Sequence, residues 1–350
     1  MQYIVYGVII MIMSYCIHEL GHVMGIKMKK GKVRGVFFPF IMIYWDDKWK
    51  ISFWRNTNKA HVLLNIDAVN GEDSYTNIKS ILLFELICGP LFSIIYQAVL
   101  VFILCLQYFR YNMKLSNPIV LCVIAAVTWN SAFIVNSFKN EKDNICDYEA
   151  YRMLKNNEYI FQTYILEYLM ISSDNINKIR NSKFLLRKID CTLLAKTEDF
   201  FENDDLLYML YDYLTIYMAG YADDSIALNK SVQVVLKNLK YVFDDTSIIY
   251  VLLLARVIQY LCANSKYDTA YNIYLLYFSD NNNSKNTVEI YYKKQTEYIL
   301  NINDNKEYLE SVINIKNSLV NQEYIVFYAT KKLNKDIVLK SFIQKEQNYG

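Results

Sequence analysis

Between Ile81 and Phe109 the only side chain charged near neutral pH is Glu85, and between Pro118 and Val135 there is none. A third run, Tyr3 to Ile26, carries only His18, Glu19 and His22. An α-helix rises about 1.5 Å per residue and a bilayer's hydrocarbon core is near 30 Å thick, so roughly 20 predominantly apolar residues suffice to cross it. All three runs therefore predict spans. The first has no basic start and no small-residue cleavage site, which predicts a retained helix, not a removed signal. Basic residues stay on the cytoplasmic side. Lys27, Lys29, Lys30, Lys32 and Arg34 follow the first run, whereas the link between the second and third carries only Arg110 and Lys114. The expected protein is a multi-pass protein of the cell membrane, its N-terminus outside and everything after Asn136 in the cytoplasm.

Composition narrows the class further. Hydrophobic residues are 54% and charged ones 21%, and 37 Lys+Arg balance 35 Asp+Glu, so neither a disordered chain nor a basic nucleic-acid binder is expected. No proline follows Pro118, and only Gly220 and Gly350 follow Gly89. The last two-thirds should be nearly all helix. Seven cysteines without CxxC spacing indicate neither a disulfide framework nor a cysteine metal knuckle.

Two of the three histidines fall in His18-Glu19-Leu20-Gly21-His22. Residues four apart share a helix face, so both imidazoles can reach one ion, while Glu19, rotated by about 100°, sits beside it. That is the ligand pair and general base of a metal hydrolase. Three ionisable groups in a span are functional candidates by default, because lipid penalises each of them unless it is paired or bound. A catalytic zinc site generally takes three protein ligands. His61 lies in a stretch where His61, Asn65 and Asp67 alternate with Val62, Leu64 and Ile66, and reads as a polar-face residue of a strand. Asp143 and Asp147, just past the third run, are the better candidates, with the chain returned to the side of His22.

At these residues the chain resembles the site-2 protease family of intramembrane zinc metalloproteases. The resemblance is carried by HELGH at 18 to 22, by Gly89-Pro90 inside the second span, and by an asparagine and then an aspartate after the third. It covers residues 1 to about 155. Cys88-Gly89-Pro90-Leu91-Phe92-Ser93 stands where the family reads like "aGPlaN". Asn136 and Asp147 stand where it has an asparagine, a proline and then Asp-Gly; the proline and glycine are missing here. The resemblance implies Zn2+ held by His18, His22 and Asp147, with Asp143 as the alternative third ligand, Glu19 as the catalytic base, and Gly89, Pro90 and Asn136 binding substrate. Glu85, one turn before Gly89, is expected near the cytoplasmic end in reach of water, and Asn130 is expected to hydrogen-bond a neighbouring helix.

From Lys32 to Ala68 the period changes to two, with Trp49, Ile51 and Phe53 alternating with Lys48, Lys50 and Ser52, which predicts a small cytoplasmic sheet of about three strands. An exposed sheet edge could bind an extended peptide, as strands here do in the resembled family. Beyond residue 155, apolar stretches alternate with short polar breaks, and Lys266–Tyr271 has an echo at Lys306–Ser311, which suggests stacked helical hairpins. The expected architecture is an all-α membrane core of about three spans with a small β-sheet insert over residues 1–154, followed by an α-helical, solenoid-like cytoplasmic domain over 155–350. The expected function is that of an intramembrane zinc metalloendopeptidase. Its substrate would be a membrane-spanning or membrane-associated peptide, a small peptide precursor or a single-span regulator, and a cytoplasmic protein partner would dock on the helical domain. The alternative is a catalytically inactive membrane scaffold or immunity protein on a protease-like frame, and a soluble zincin with long core helices is a third reading.

Overall fold

The computed structural model describes residues 2–38, 41–46, 48–53, 61–110, 117–139, 146–171, 176–240, 248–278 and 287–302. Asp143 and the 306–311 echo lie outside them. The chain divides into two compact units, residues 1–66 with 73–158 and residues 67–72 with 159–350.

In the first unit, α1 (Gln2–Met28) is followed by β1 (Lys32–Phe38), β2 (Ile41–Asp46), β3 (Lys48–Phe53) and β4 (His61–Asn65), then α2 (Glu72–Cys105), α3 (Pro118–Asn136) and α4 (Asp147–Asn156). Helix α2 continues through a wider turn at Leu106–Arg110, and the stretch Glu72–Arg110 and α3 are both long and apolar enough to cross a membrane. Helix α1 buries Ser14, His18, Glu19, Gly21, His22, Gly25 and Ile26 along one face and exposes Ile12, Met13, Leu20 and Met24 on the other. Its apolar side chains thus face outward and its polar ones inward, the reverse of a water-soluble amphipathic helix. Helix α3 starts where Asn117 accepts the Ile119 N–H at 2.9 Å and Pro118 occupies the first turn, where a missing N–H does no harm.

The sheet has four strands, not about three, in the antiparallel order β3-β2-β1-β4. The apolar run from Val36 to Trp45 is shared by two strands, with Phe38 and Ile41 facing each other in the β1–β2 register. His61 opens β4 opposite Phe37, on a strand as its alternation predicts. In the outer hairpin, Ile41, Ile43 and Trp45 stand opposite Phe53, Ile51 and Trp49, so one face is wholly apolar. It is open, with Phe53 83% and Ile51 70% exposed.

The second unit is helical among its described residues: α5 (Glu158–Ile171, from Tyr159 onward), α6 (Ile176–Asn181), α7 (Lys183–Ala195), α8 (Asp204–Met218), α9 (Ile226–Lys237), α10 (Ile248–Ala263), α11 (Tyr267–Tyr277) and α12 (Thr287–Ile299). Asn203 caps α8 through the Asp205 N–H and Ser225 caps α9 through the Leu228 N–H. Helix α10 is apolar nearly all round and is too short to span a bilayer; it is the core helix, packed by α8, α11 and α12.

Candidate metal centre

Two glycines on α1 set the distance to α2. A methyl built on Gly21 would stand 2.9 Å from the Gly89 Cα, and one on Gly25 would stand 3.0 Å from the Glu85 Cα, where ordinary contact begins at 3.4 Å. The backbones therefore approach more closely than any side chain allows. Gly89 completes the arrangement from the other side, because the His22 ring occupies the space a Gly89 side chain would fill. Pro90 leaves the Leu86 carbonyl without its helical partner and loosens this turn of α2. In the same turn the Glu85 carbonyl accepts a hydrogen bond from His22 Nδ1 at 3.0 Å.

A carbonyl can only accept, so the His22 proton sits on Nδ1 and Nε2 presents its lone pair to the interior. His18 is held in the same way on its far side: Nδ1 lies 3.1 Å from Ser93 Oγ, and the ring packs edge-on against Phe133. Ser93 is itself fixed, because Asn130 of α3 donates to its carbonyl at 2.9 Å and to Gln97 Oε1 at 3.0 Å. Gln97 in turn donates to Ser131 Oγ at 2.7 Å. Asn130 thus bonds a neighbouring helix, as expected.

Asp147 arrives from far along the chain. It is the first residue of α4, tied to the end of α3 by the Tyr148 N–H, which donates to the Ser137 carbonyl at 3.3 Å. Its Oδ2 lies 3.0 Å from His18 Nε2 and its Oδ1 3.8 Å from His22 Nε2, and the two Nε2 atoms are 3.1 Å apart. Three ligand atoms from His18, His22 and Asp147 thus lie within 4.8 Å of one another, the only such group among the described residues. Burial raises the Asp147 carboxyl, while a hydrogen bond donated by His18 and the positive charge of a protonated His22 or His18 lower it, with a net direction below its usual range.

Two imidazole nitrogens facing each other at hydrogen-bond distance, beside a carboxylate, repel unless a proton or a cation lies between them. A two-histidine, one-carboxylate set with the far nitrogen of each ring already engaged could hold a metal ion. Glu19 is 3% exposed and its Oε2 has no hydrogen-bond partner, which leaves a carboxylate oxygen free for a water at such a centre.

Glu85 does not reach water. It is 6% exposed, because the glycines opposite it draw α1 over that face of α2. Gly89 is buried in the α1–α2 contact, Pro90 is buried next to it in the chain, and Asn136 is exposed at the end of α3. The supports of the two rings, Ser93 Oγ and the Glu85 carbonyl, have no signature of their own in the sequence. For Ser93 the available signals were its place at the end of Cys88-Gly89-Pro90-Leu91-Phe92-Ser93, where the resembled family has a polar asparagine, and its spacing of four from Gly89, which puts it on the same face. No family model, curated protein or solved structure matches this chain.

Proposed function

We propose that the chain is an intramembrane zinc metalloendopeptidase of the site-2 protease type, with α1, α2 and α3 as its spans. The observation that carries the reading is the meeting of His18, His22 and Asp147 donor atoms inside an apolar helical unit, with an unpartnered Glu19 oxygen one residue along. When bound, zinc would supply a Lewis acid that polarises the scissile carbonyl and acidifies water. The residues of the chain supply the rest. His18, His22 and Asp147 would hold the ion; Ser93 and the Glu85 carbonyl fix the two rings; Glu19 would take a proton from water at its free oxygen and deliver it to the leaving amine. Apolar side chains on the outer face of α1 keep bulk water from the buried face, so the proton has one acceptor close at hand.

A transmembrane helix offers no free amides, so its peptide bond becomes accessible only after local unwinding. The open edge of β3 suits an unwound segment, through backbone hydrogen bonds, and the apolar face of the β2–β3 hairpin suits a position at the lipid boundary. The substrate class is a membrane-spanning or membrane-associated peptide, either a small precursor or a single-span regulator. The orientation with the N-terminus outside follows from the lysines after α1.

The test is Glu19→Gln in the full chain reconstituted with a panel of single-span peptides. It removes the base and keeps the shape, so zinc content and fold should persist while cleavage falls by about 100-fold or more. Equal cleavage by variant and wild type would remove Glu19 from the mechanism. A wild-type protein that binds no zinc would favour the scaffold reading.

A further inference from the structure

A polar seam lies one turn from His18, on the side of the α1 N-terminus. Asn130 of α3 and Ser14 of α1 are both 0% exposed, and neither Asn130 Oδ1 nor Ser14 Oγ has a hydrogen-bond partner. Helix register places them together. Gly25 of α1 meets Glu85 of α2, Gly21 meets Gly89 and His18 meets Ser93, so each turn back along α1 is a turn forward along α2, and Ser14 comes level with Gln97. On α3, Phe133 packs against both Tyr15 and His18, with ring centroids 4.7 and 5.0 Å away, and Asn130 stands one turn before it. Asn130 reaches the same level of α2, since its Nδ2 donates to the Ser93 carbonyl at 2.9 Å and to Gln97 Oε1 at 3.0 Å. A carbonyl only accepts, so those two bonds fix the amide with Oδ1 turned away from both.

Ser93 is where this seam touches the metal ligands. Its Oγ lies 3.1 Å from His18 Nδ1 and can either donate to that nitrogen or accept from it. If it donates, the ring proton sits on Nε2, 3.0 Å from Asp147 Oδ2, and that nitrogen has no lone pair for a cation. If it accepts, Nε2 is free, and the hydroxyl proton of Ser93 must go to another acceptor. Ser131 and Ser137 send theirs to the carbonyl four residues back, at 2.8 and 3.2 Å, but the Ser93 hydroxyl makes no such bond among the described residues. The acceptors left open at its level are Asn130 Oδ1 and Ser14 Oγ.

We propose that Ser93 is a hydroxyl switch for metal uptake: without a cation it donates to His18 Nδ1, and on uptake it turns to accept from Nδ1–H and gives its own proton to one water bound by Asn130 Oδ1 and Ser14 Oγ. The ring keeps one proton throughout, exchanged from Nε2 to Nδ1 through water, so His18 neither gains nor loses charge. The bound water accepts from the Ser93 hydroxyl and donates to the other two oxygens, three partners being the usual number for a buried water. Ser14 and Asn130 are therefore positioning residues, acting on His18 through Ser93. The inference rests on the metal reading of His18, His22 and Asp147 and extends it to side chains that are not ligands.

The full chain in detergent, labelled with 15N-histidine, gives the test at about pH 8.5, where an ordinary imidazole is neutral. Ring 15N shifts show which nitrogen carries the proton, and His61, on β4, is an internal reference. In wild type the His18 proton should sit on Nε2 before zinc is added and on Nδ1 after it. Ser14→Ala and Asn130→Leu should each weaken zinc binding by about 10-fold in competition with a chelator. In a Ser93→Ala background, where there is no hydroxyl to turn, the same two replacements should change it by less than about twofold. Ser14→Ala removes one oxygen from a helix that tolerates alanine well, so the test stands even where Asn130→Leu fails to fold. A wild-type ring protonated on Nδ1 both before and after zinc overturns the proposal. So do equal losses in the two backgrounds, which would mark an effect of packing alone. Both results leave zinc binding intact and so fail separately from the protease reading; a wild type in which zinc moves no imidazole signal removes that reading and this inference together.

Discussion

Gly89→Ala is the smallest change that should empty the proposed metal centre. The added methyl would stand 2.6 Å from His22 Cε1 and 2.8 Å from Cδ2, and nearer still to Nε2, the atom assigned to the metal. Ordinary contact begins at 3.4 Å, so the ring has to move by about 1 Å. A zinc–nitrogen bond is about 2.0–2.1 Å long and a working site keeps its distances to within about 0.2 Å, so the displacement is several times the tolerance. Relief by movement of α2 is no better, because Gly21 and Gly25 already hold the two backbones together and Ser93 of α2 supports His18. Either route should weaken zinc binding by at least about 100-fold, or roughly 2.7 kcal/mol. Competition between the purified protein and a chelator of known affinity, followed by metal analysis, measures it. Gly71→Ala is the matched control, since its methyl meets nothing within 4 Å and zinc should be retained. Wild-type zinc affinity in a well-folded Gly89→Ala protein would refute the assignment of His22 Nε2 as a ligand.

The third ligand is separable by charge-neutral replacement: Asp147→Asn should lose zinc in the same competition assay and Asp143→Asn should not, and the opposite pattern would transfer the role to Asp143. Ser93→Ala removes the support of the His18 ring while leaving the ligand in place. Zinc affinity should fall by about 10- to 100-fold, with a smaller effect if threonine, which restores the hydroxyl, is used instead.

The parts of this site legible in the sequence are those fixed within one helix. His18 and His22 share a face because helix geometry demands it, and the apolar run around them gives their depth. Depth is not face, however. Glu85 was expected in water from its position along α2, yet Gly21, Gly25 and Gly89 bring α1 down on its side of the helix, a close approach that only the paired backbones reveal. Asp147 was reachable from the topology only as one of two aspartates past the third run, and the resemblance alone preferred it to Asp143: nothing in Cys146-Asp147-Tyr148 marks it as a ligand, and its placement depends on α3 returning the chain to the level of His18. The β1–β2 reversal has one signal in the sequence, Pro39, which cannot donate to a sheet ladder; no polar residue lies between Phe38 and Ile41, so the period alone reads through the hairpin.

Buried ionisable groups occur in both units, and the contrast between them bears on what each is for. In the first unit the groups converge: two imidazoles with their far nitrogens engaged and one carboxylate aim at a common point, where one cation could meet all three. Around Arg256, buried in the middle of α10, they do not converge. The guanidinium already donates to Thr215, Gln259 and Gln295, and no metal-binding trio of donor atoms forms there among the described residues. Such a core is held by the hydrogen bonds of its guanidinium and offers no coordination sphere for a metal ion among the described residues. Burial of charge alone is therefore a weak argument for a metal, and the zinc reading rests on the direction in which the lone pairs of His18, His22 and Asp147 point.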